Sequence, residues 1–174
     1  MRIGIVSTFP PYRGGIAQFN DAMARALTQA GHEVHCATWS RQYPAFLFPG
    51  KTQFEPGKTI AGARMPATLD SISPSSWKRV GRNFGKQYNV DMLLLPFWHA
   101  ALAPALTSVA KHAKQHGVRE AVAIMHNANS HDGKAWEAAL TKRFLGACDR
   151  VVTLSSSVSA ELKSWNPATL FHPL

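Results

Sequence analysis

Phe9-Pro10-Pro11-Tyr12-Arg13-Gly14-Gly15-Ile16 joins two runs of different period, and that junction decides the fold. Upstream, Ile3-Gly4-Ile5-Val6 is short and apolar, as a buried strand is. Downstream, Ile16, Phe19, Met23, Leu27 and Ala30 recur at steps of three and four, which is one face of a helix. Gly14 and Gly15 fall where loop meets helix. Lacking Cβ atoms, they let the backbone turn tightly and come close to a ligand. A helix's first turn carries unpaired N–H groups and a partial positive charge, which suits phosphate or another anion. Arg13 adds a full charge beside it. The same glycines equally serve a plain strand–helix connection. The junction is neither the GxGxxG dinucleotide fingerprint nor a GxxxxGK[ST] phosphate loop.

The chain of 174 residues is expected to form one domain with a full core. Its 45% hydrophobic and 17% charged residues are ordinary for a globular protein. The apolar run after Arg2 is too short for a signal peptide, and no run approaches the ~20 apolar residues of a membrane span. Cys36 and Cys148 lie in or beside apolar segments and read as small buried hydrophobes in a cytosolic context. Nineteen Lys and Arg against ten Asp and Glu give a net charge of +9, which favours an anionic partner.

Gly31 ends the first helix, and residues 33–38 read as a second strand, so the chain opens with the β-α-β unit of a parallel sheet. Residues 39–73 read as irregular, with a short strand at 59–64. Within them, Tyr43-Pro44-Ala45-Phe46-Leu47-Phe48-Pro49 is an apolar flap over the core or a loop for an acceptor or membrane. Residues 75–88 read as a helix, apolar through Trp77, Val80, Phe84 and Tyr88, with Lys78, Arg79, Arg82 and Lys86 around that line. Gly81 and Gly85 count against this helix. Its basic, amphipathic character fits either an anionic membrane surface or a solvated face.

Residues 92–96 and 121–125 are apolar strands. Between them, Pro104 at a first-turn position starts a helix buried through Leu102, Leu106, Val109 and Ala113, which Gly117 ends. Trp136, Leu140, Phe144 and Ala147 mark the next helix. Residues 150–154 form a strand, and Ser155-Ser156-Ser157 opens a last helix through Val158, Leu162 and Trp165. Strands alternating with helices make a doubly wound α/β domain, mostly parallel, with helices on both faces of the sheet. Ligands bind such sheets beyond the C-terminal strand ends. Here those ends carry Arg13-Gly14-Gly15, Trp98-His99, His126-Asn127 and Ser155, which should converge on one crevice.

With these ends identified, the chain resembles the N-terminal half of a family 4 glycosyltransferase of the GT-B fold. The resemblance is carried by Phe9 to Ala17 after the first strand, by Pro96-Phe97-Trp98-His99 with Leu102-Ala103-Pro104, and by His126-Asn127 with His131-Asp132. Cys148-Asp149-Arg150-Val151-Val152-Thr153-Leu154-Ser155 and the closing His172-Pro173 add to it. It implies a Rossmann-like acceptor-side domain, residues 1–174, facing a C-terminal nucleotide-sugar domain that lies outside this sequence. It also implies sugar transfer with retention, no metal or other cofactor, and no activity in the isolated fragment. Gly14 and Gly15 would lend N–H groups to the donor diphosphate, and His126 would face the donor sugar. Asn127 stands where the family often has Asp, and His131-Asp132 resembles a His-Glu pair shortened by one carbon.

The residues implied for substrate are thus Arg13, Gly14, Gly15, Trp98, His99, Asn127, His131 and Ser155, with His126 catalytic. The implied partners are a nucleotide-sugar donor, a glycan or lipid-linked acceptor, and an anionic inner membrane face met by Trp77, Lys78, Arg79, Arg82 and Lys86. Two rivals were weighed. His126-x4-His131-Asp132 has the donor types of a metal hydrolase, but the HExxH pattern is absent. The charge suits nucleic acid, but helix-turn-helix, zinc-finger and RNP patterns are absent and the basic residues are dispersed, so no nucleic-acid partner is expected. Ser155 serves equally as a helix cap.

Overall fold

The strands Arg2–Val6, Met92–Phe97 and Glu120–Met125 are buried on both faces, because helices cover both sides of the sheet. The computed structural model describes residues 1–42, 69–127, 135–163, 165 and 169–172. Among these the order is β1 (Arg2–Val6), α1 (Gly15–Gln29), β2 (Glu33–Ala37), β3 (Trp39–Arg41), β4 (Leu69–Asp70), α2 (Pro74–Lys86), β5 (Met92–Phe97), α3 (Ala103–Gln115), β6 (Glu120–Met125), α4 (Ala135–Leu145), β7 (Arg150–Thr153), α5 (Ser156–Lys163) and β8 (Thr169–Phe171). Six strands pair in the order β2-β1-β5-β6-β7-β8, each neighbouring pair parallel. The expected doubly wound α/β domain is therefore the one observed. Strand order reverses between β1 and β5, which places a crevice beyond their C-terminal ends.

Alternation along the strands sorts the core into two layers. Ile3, Ile5, Leu94, Val122 and Ile124 face α1, which presents Phe19, Met23 and Leu27. Val6, Leu93, Leu95, Ala121, Ala123 and Val151 face the other way, toward Val80 and Phe84 of α2, Leu106 and Val109 of α3, Phe144 of α4 and Leu162 of α5. Phe97 stacks on Phe144 with ring centroids 4.8 Å apart.

Gly81 and Gly85, which counted against α2 in the sequence, are what lets it pack. A Cβ on Gly81 would lie 2.6 Å from the Val109 carbonyl oxygen, and one on Gly85 would come closer still to that of His116. The α2 backbone therefore lies directly against α3. Gly4 does the same for β1, since its missing Cβ leaves room for the Phe84 ring, 2.8 Å from that position.

Three expectations need correction. The stretch read as irregular contains β3 and β4, a short parallel pair. Arg41 grips Asp70 across it through Nε at 3.0 Å and a second contact from Nη2, holding the Asp70 carboxyl below the usual carboxylate range. Trp136 lies on the exposed side of α4, and the buried positions are Glu137, Thr141, Phe144 and Leu145. The final helix stops at Lys163, although Trp165 still packs against the core. The apolar stretch at 43–49 and the strand expected at 59–64 lie outside the described residues.

Candidate functional site

The loop after β1 is held from three directions. Asn20, fully buried on α1, donates through Nδ2 to Ser7 Oγ at 2.6 Å and to the Thr8 carbonyl at 3.0 Å. Tyr12 donates its hydroxyl to the Trp39 carbonyl at 2.9 Å, and burial pushes its pKa up to about 12. The Tyr12 N–H donates to the Phe9 carbonyl at 2.9 Å, closing a turn that includes a cis Pro10–Pro11 bond. Phe9 is buried beneath, so the loop is anchored while its far end is presented outward.

That far end is Arg13-Gly14-Gly15, all exposed. Gly14 sits at the N-cap of α1 with φ 110° and ψ 165°, a region essentially reserved for glycine. No side chain caps the helix, and its first turn has no acidic residue. Nothing lies within 4 Å of a Cβ built on Gly14 or Gly15. The first-turn N–H groups have no carbonyl of their own helix to bind, and the exposed Gly14-Gly15 backbone leaves that end of the helix uncovered among the described residues. This is the geometry that receives an anion.

Two strands along, His126 follows β6. Its N–H donates to the Phe97 carbonyl at 2.9 Å, tying the β6 end to the β5 end. Its half-buried ring meets Phe19 of α1 edge-on, centroids 5.0 Å apart. Burial lowers its pKa, so at neutral pH it is an uncharged imidazole. Its Nε2 is buried and has no hydrogen-bond partner among the described residues. Buried polar atoms are usually satisfied, so this nitrogen is a candidate for binding a ligand.

The remaining expected residues divide. Asn127 Nδ2 makes a long 3.4 Å contact to the Trp98 carbonyl, and Trp98 is half-buried against the core, so both border the crevice. His99 Nδ1 accepts the Ala101 N–H at 3.1 Å and caps the 3-10 turn at Ala100–Leu102. Ser155 Oγ accepts the Val158 N–H at 3.2 Å and caps α5. His131 and Asp132 lie outside the described residues. Among the described residues no three potential metal ligands gather.

The expected membrane face takes a different form. Trp77 is half-buried, with its indole N–H donated to the Asp70 carbonyl at 2.6 Å. Val80 and Phe84 are fully buried. The apolar line of α2 is spent on the core, and its basic residues Lys78, Arg79, Arg82 and Lys86 remain exposed. No helix among the described residues is long and apolar enough to cross a membrane.

Asn20 and Tyr12 are site-building residues that the sequence reading missed. Asn20 had a signal: it lies four residues after Ile16 and three before Met23, on the inward side of α1, where a polar side chain must find partners.

Solved structures with this arrangement define the class. An alpha-glucosyltransferase in complex with UDP-glucose and DNA containing an abasic site superimposes with TM-score 0.59 at 13% identity, over 99% of this chain and 42% of that one. UDP-GlcNAc 2-epimerase from Methanocaldococcus jannaschii gives 0.61 at 9% identity, over 98% and 45%. A sucrose-phosphate synthase from Thermosynechococcus elongatus gives 0.55 at 14% identity, over 100% and 89%. No curated protein sequence matches the chain. The fold is the Rossmann-like α/β fold of GT-B glycosyltransferases.

The chain belongs to Glycosyltransferase Family 4, whose model matches residues 13–170. It spans about 40% of the length of the alpha-glucosyltransferase structures it matches. One of the same fold holds DNA, so the lack of DNA-binding motifs does not remove nucleic acid from the possible partners.

Proposed function

We propose that this chain is the acceptor-side domain of a retaining glycosyltransferase that uses a nucleotide-sugar donor. The observation that carries it is the uncapped, acid-free start of α1 at Gly14-Gly15, open to solvent, with the neutral His126 ring against the same helix. In sugar transfer the leaving group is a nucleoside diphosphate. Amide dipoles aimed at it stabilise the charge that develops as the glycosidic bond breaks. Arg13 adds long-range attraction. His126, uncharged and with Nε2 free of a partner among the described residues, is suited to a hydroxyl of the donor sugar. No metal is needed for these roles. The nucleotide itself would be held mainly by a second domain, so the fragment alone should be inactive.

The experiment is transfer by the full natural polypeptide, with Gly15→Val beside wild type. The open space at Gly15 lets the variant fold, while its side chain blocks a diphosphate from the first-turn amides. Turnover should fall at least about a hundredfold, the size of losing an oxyanion-type donor. Wild-type turnover in the variant would sink the assignment.

The acceptor is read as a glycan or lipid-linked sugar, with the exposed basic residues of α2 meeting an anionic inner membrane face by charge alone. A DNA acceptor is the second reading, favoured by the +9 charge and by the DNA held in the alpha-glucosyltransferase structure. Liposome binding weakened by salt supports the first, and salt-sensitive binding of duplex DNA supports the second.

A further inference from the structure

α2, α3 and α4 enclose a pocket of about 310 Å3 on the side of the sheet away from His126. Trp77 and Leu140 supply apolar wall, and Lys111 and Arg143 supply positive charge, with no carboxylate in the lining. No ion pair among the described residues uses Lys111 or Arg143. His112 Nδ1 lies 2.8 Å from the Ser108 carbonyl and donates its proton there, so this histidine is taken up by its own helix.

Thr107 lines the same pocket and is only 6% exposed. A helical threonine can return its hydroxyl to the carbonyl four residues back. Thr28 does so in α1, at 2.8 Å from the Ala24 oxygen. Thr107 does not: its Oγ1 is buried without a hydrogen-bond partner among the described residues. A buried hydroxyl left unsatisfied costs free energy unless something else binds it. Lys111, one helical turn on, stands over the same face.

We propose that this pocket binds a phosphate ester with an apolar organic part. Lys111 and Arg143 clamp the phosphate, Thr107 donates its hydroxyl to it, and Trp77 and Leu140 hold the apolar part. Arginine beside lysine with several donors matches the many acceptor oxygens of phosphate. The ester's source is either a lipid headgroup or a free metabolite. This site is separate from the strand-end crevice and stands without the transferase reading.

The test is calorimetric titration of the full natural polypeptide with phenyl phosphate and with inorganic phosphate, and flotation with phosphatidylglycerol–phosphatidylcholine vesicles. Phenyl phosphate should bind saturably and more tightly than inorganic phosphate. Lys111→Gln with Arg143→Gln should weaken it about tenfold or more. Thr107→Val should weaken it about tenfold while leaving the melting temperature equal or higher, an opposition that a merely structural role would not give. Replacing Lys78, Arg79, Arg82 and Lys86 by Gln should leave it unchanged. If phenyl phosphate also displaces the polypeptide from vesicles, the source is a headgroup; if vesicle binding ignores Lys111→Gln with Arg143→Gln, it is a free ester. No saturable binding, or binding that survives Lys111→Gln with Arg143→Gln, overturns the proposal.

Discussion

Gly14 holds φ 110° and ψ 165°, which a side chain can adopt only under strain. Gly15 has no such φ and has open space around it. The two therefore separate in experiment. Gly14→Ala should cost about 1–3 kcal/mol of stability, read by urea denaturation, whereas Gly15→Ala should cost little. Equal losses would mean that the loop relaxes around Gly14. His126 gives a pH signature. Burial lowers its folded pKa, so below about pH 6.5 the unfolded chain takes up a proton that the folded chain refuses. Stability then rises with pH through that window and is lost as pH falls. The melting temperature of wild type should drop more between pH 7 and about 5.5 than that of His126→Gln. Parallel slopes would show that the ring is freely solvated. The glycines and His126 were legible in the sequence, being special residue types at strand ends. That Nε2 has no partner was not, because hydrogen-bond satisfaction depends on neighbours distant in sequence.

Among the elements, α2 shows where local propensity misleads. Glycine costs about 1 kcal/mol in an isolated helix, yet Gly81 and Gly85 set the approach of α2 to α3. Gly85→Ala should destabilise by about 1–3 kcal/mol or more, since the obstacle is the His116 backbone rather than a side-chain tip. An unchanged denaturation midpoint would mean that α2 slides freely. Asn20 ties α1 to the β1 loop, and Asn20→Ala should cost roughly 1–3 kcal/mol and blunt turnover by loosening Gly14-Gly15. The periodicity of α1 was readable, but the clamp was masked by an apolar stripe that simply skips position 20. Trp136 behaves in the opposite way: a large aromatic at helical spacing with Leu140 and Phe144, it faces out while Glu137 is buried. Hydrophobicity cannot fix the phase of a helix whose inward side also holds Thr141 and Glu137. The parallel pair β3–β4 escaped because its two short strands are separated by the whole of the segment between Arg41 and Leu69.

At the level of the molecule, alternation of apolar strands and amphipathic helices carried the fold, since parallel strands need crossovers and crossovers need helices. The site follows from topology: the switch between β1 and β5 sets the Gly14-Gly15 helix start beside the strands that end in Trp98 and His126. What binds there was less readable, because the chain spans only about 40% of the length of the alpha-glucosyltransferases it matches. The charge of +9 is spread over the domain and serves membrane, phosphate ester or DNA alike. The most direct measurement is an amide-resonance titration of the full natural polypeptide with UDP, GDP and ADP in turn. At least one diphosphate should shift the Gly14, Gly15, Ile16 and Ala17 amides most within this domain, and Gly15→Val should abolish those shifts. If all three leave these amides unmoved while the polypeptide binds a diphosphate elsewhere, the start of α1 is a strand–helix connection and nothing more.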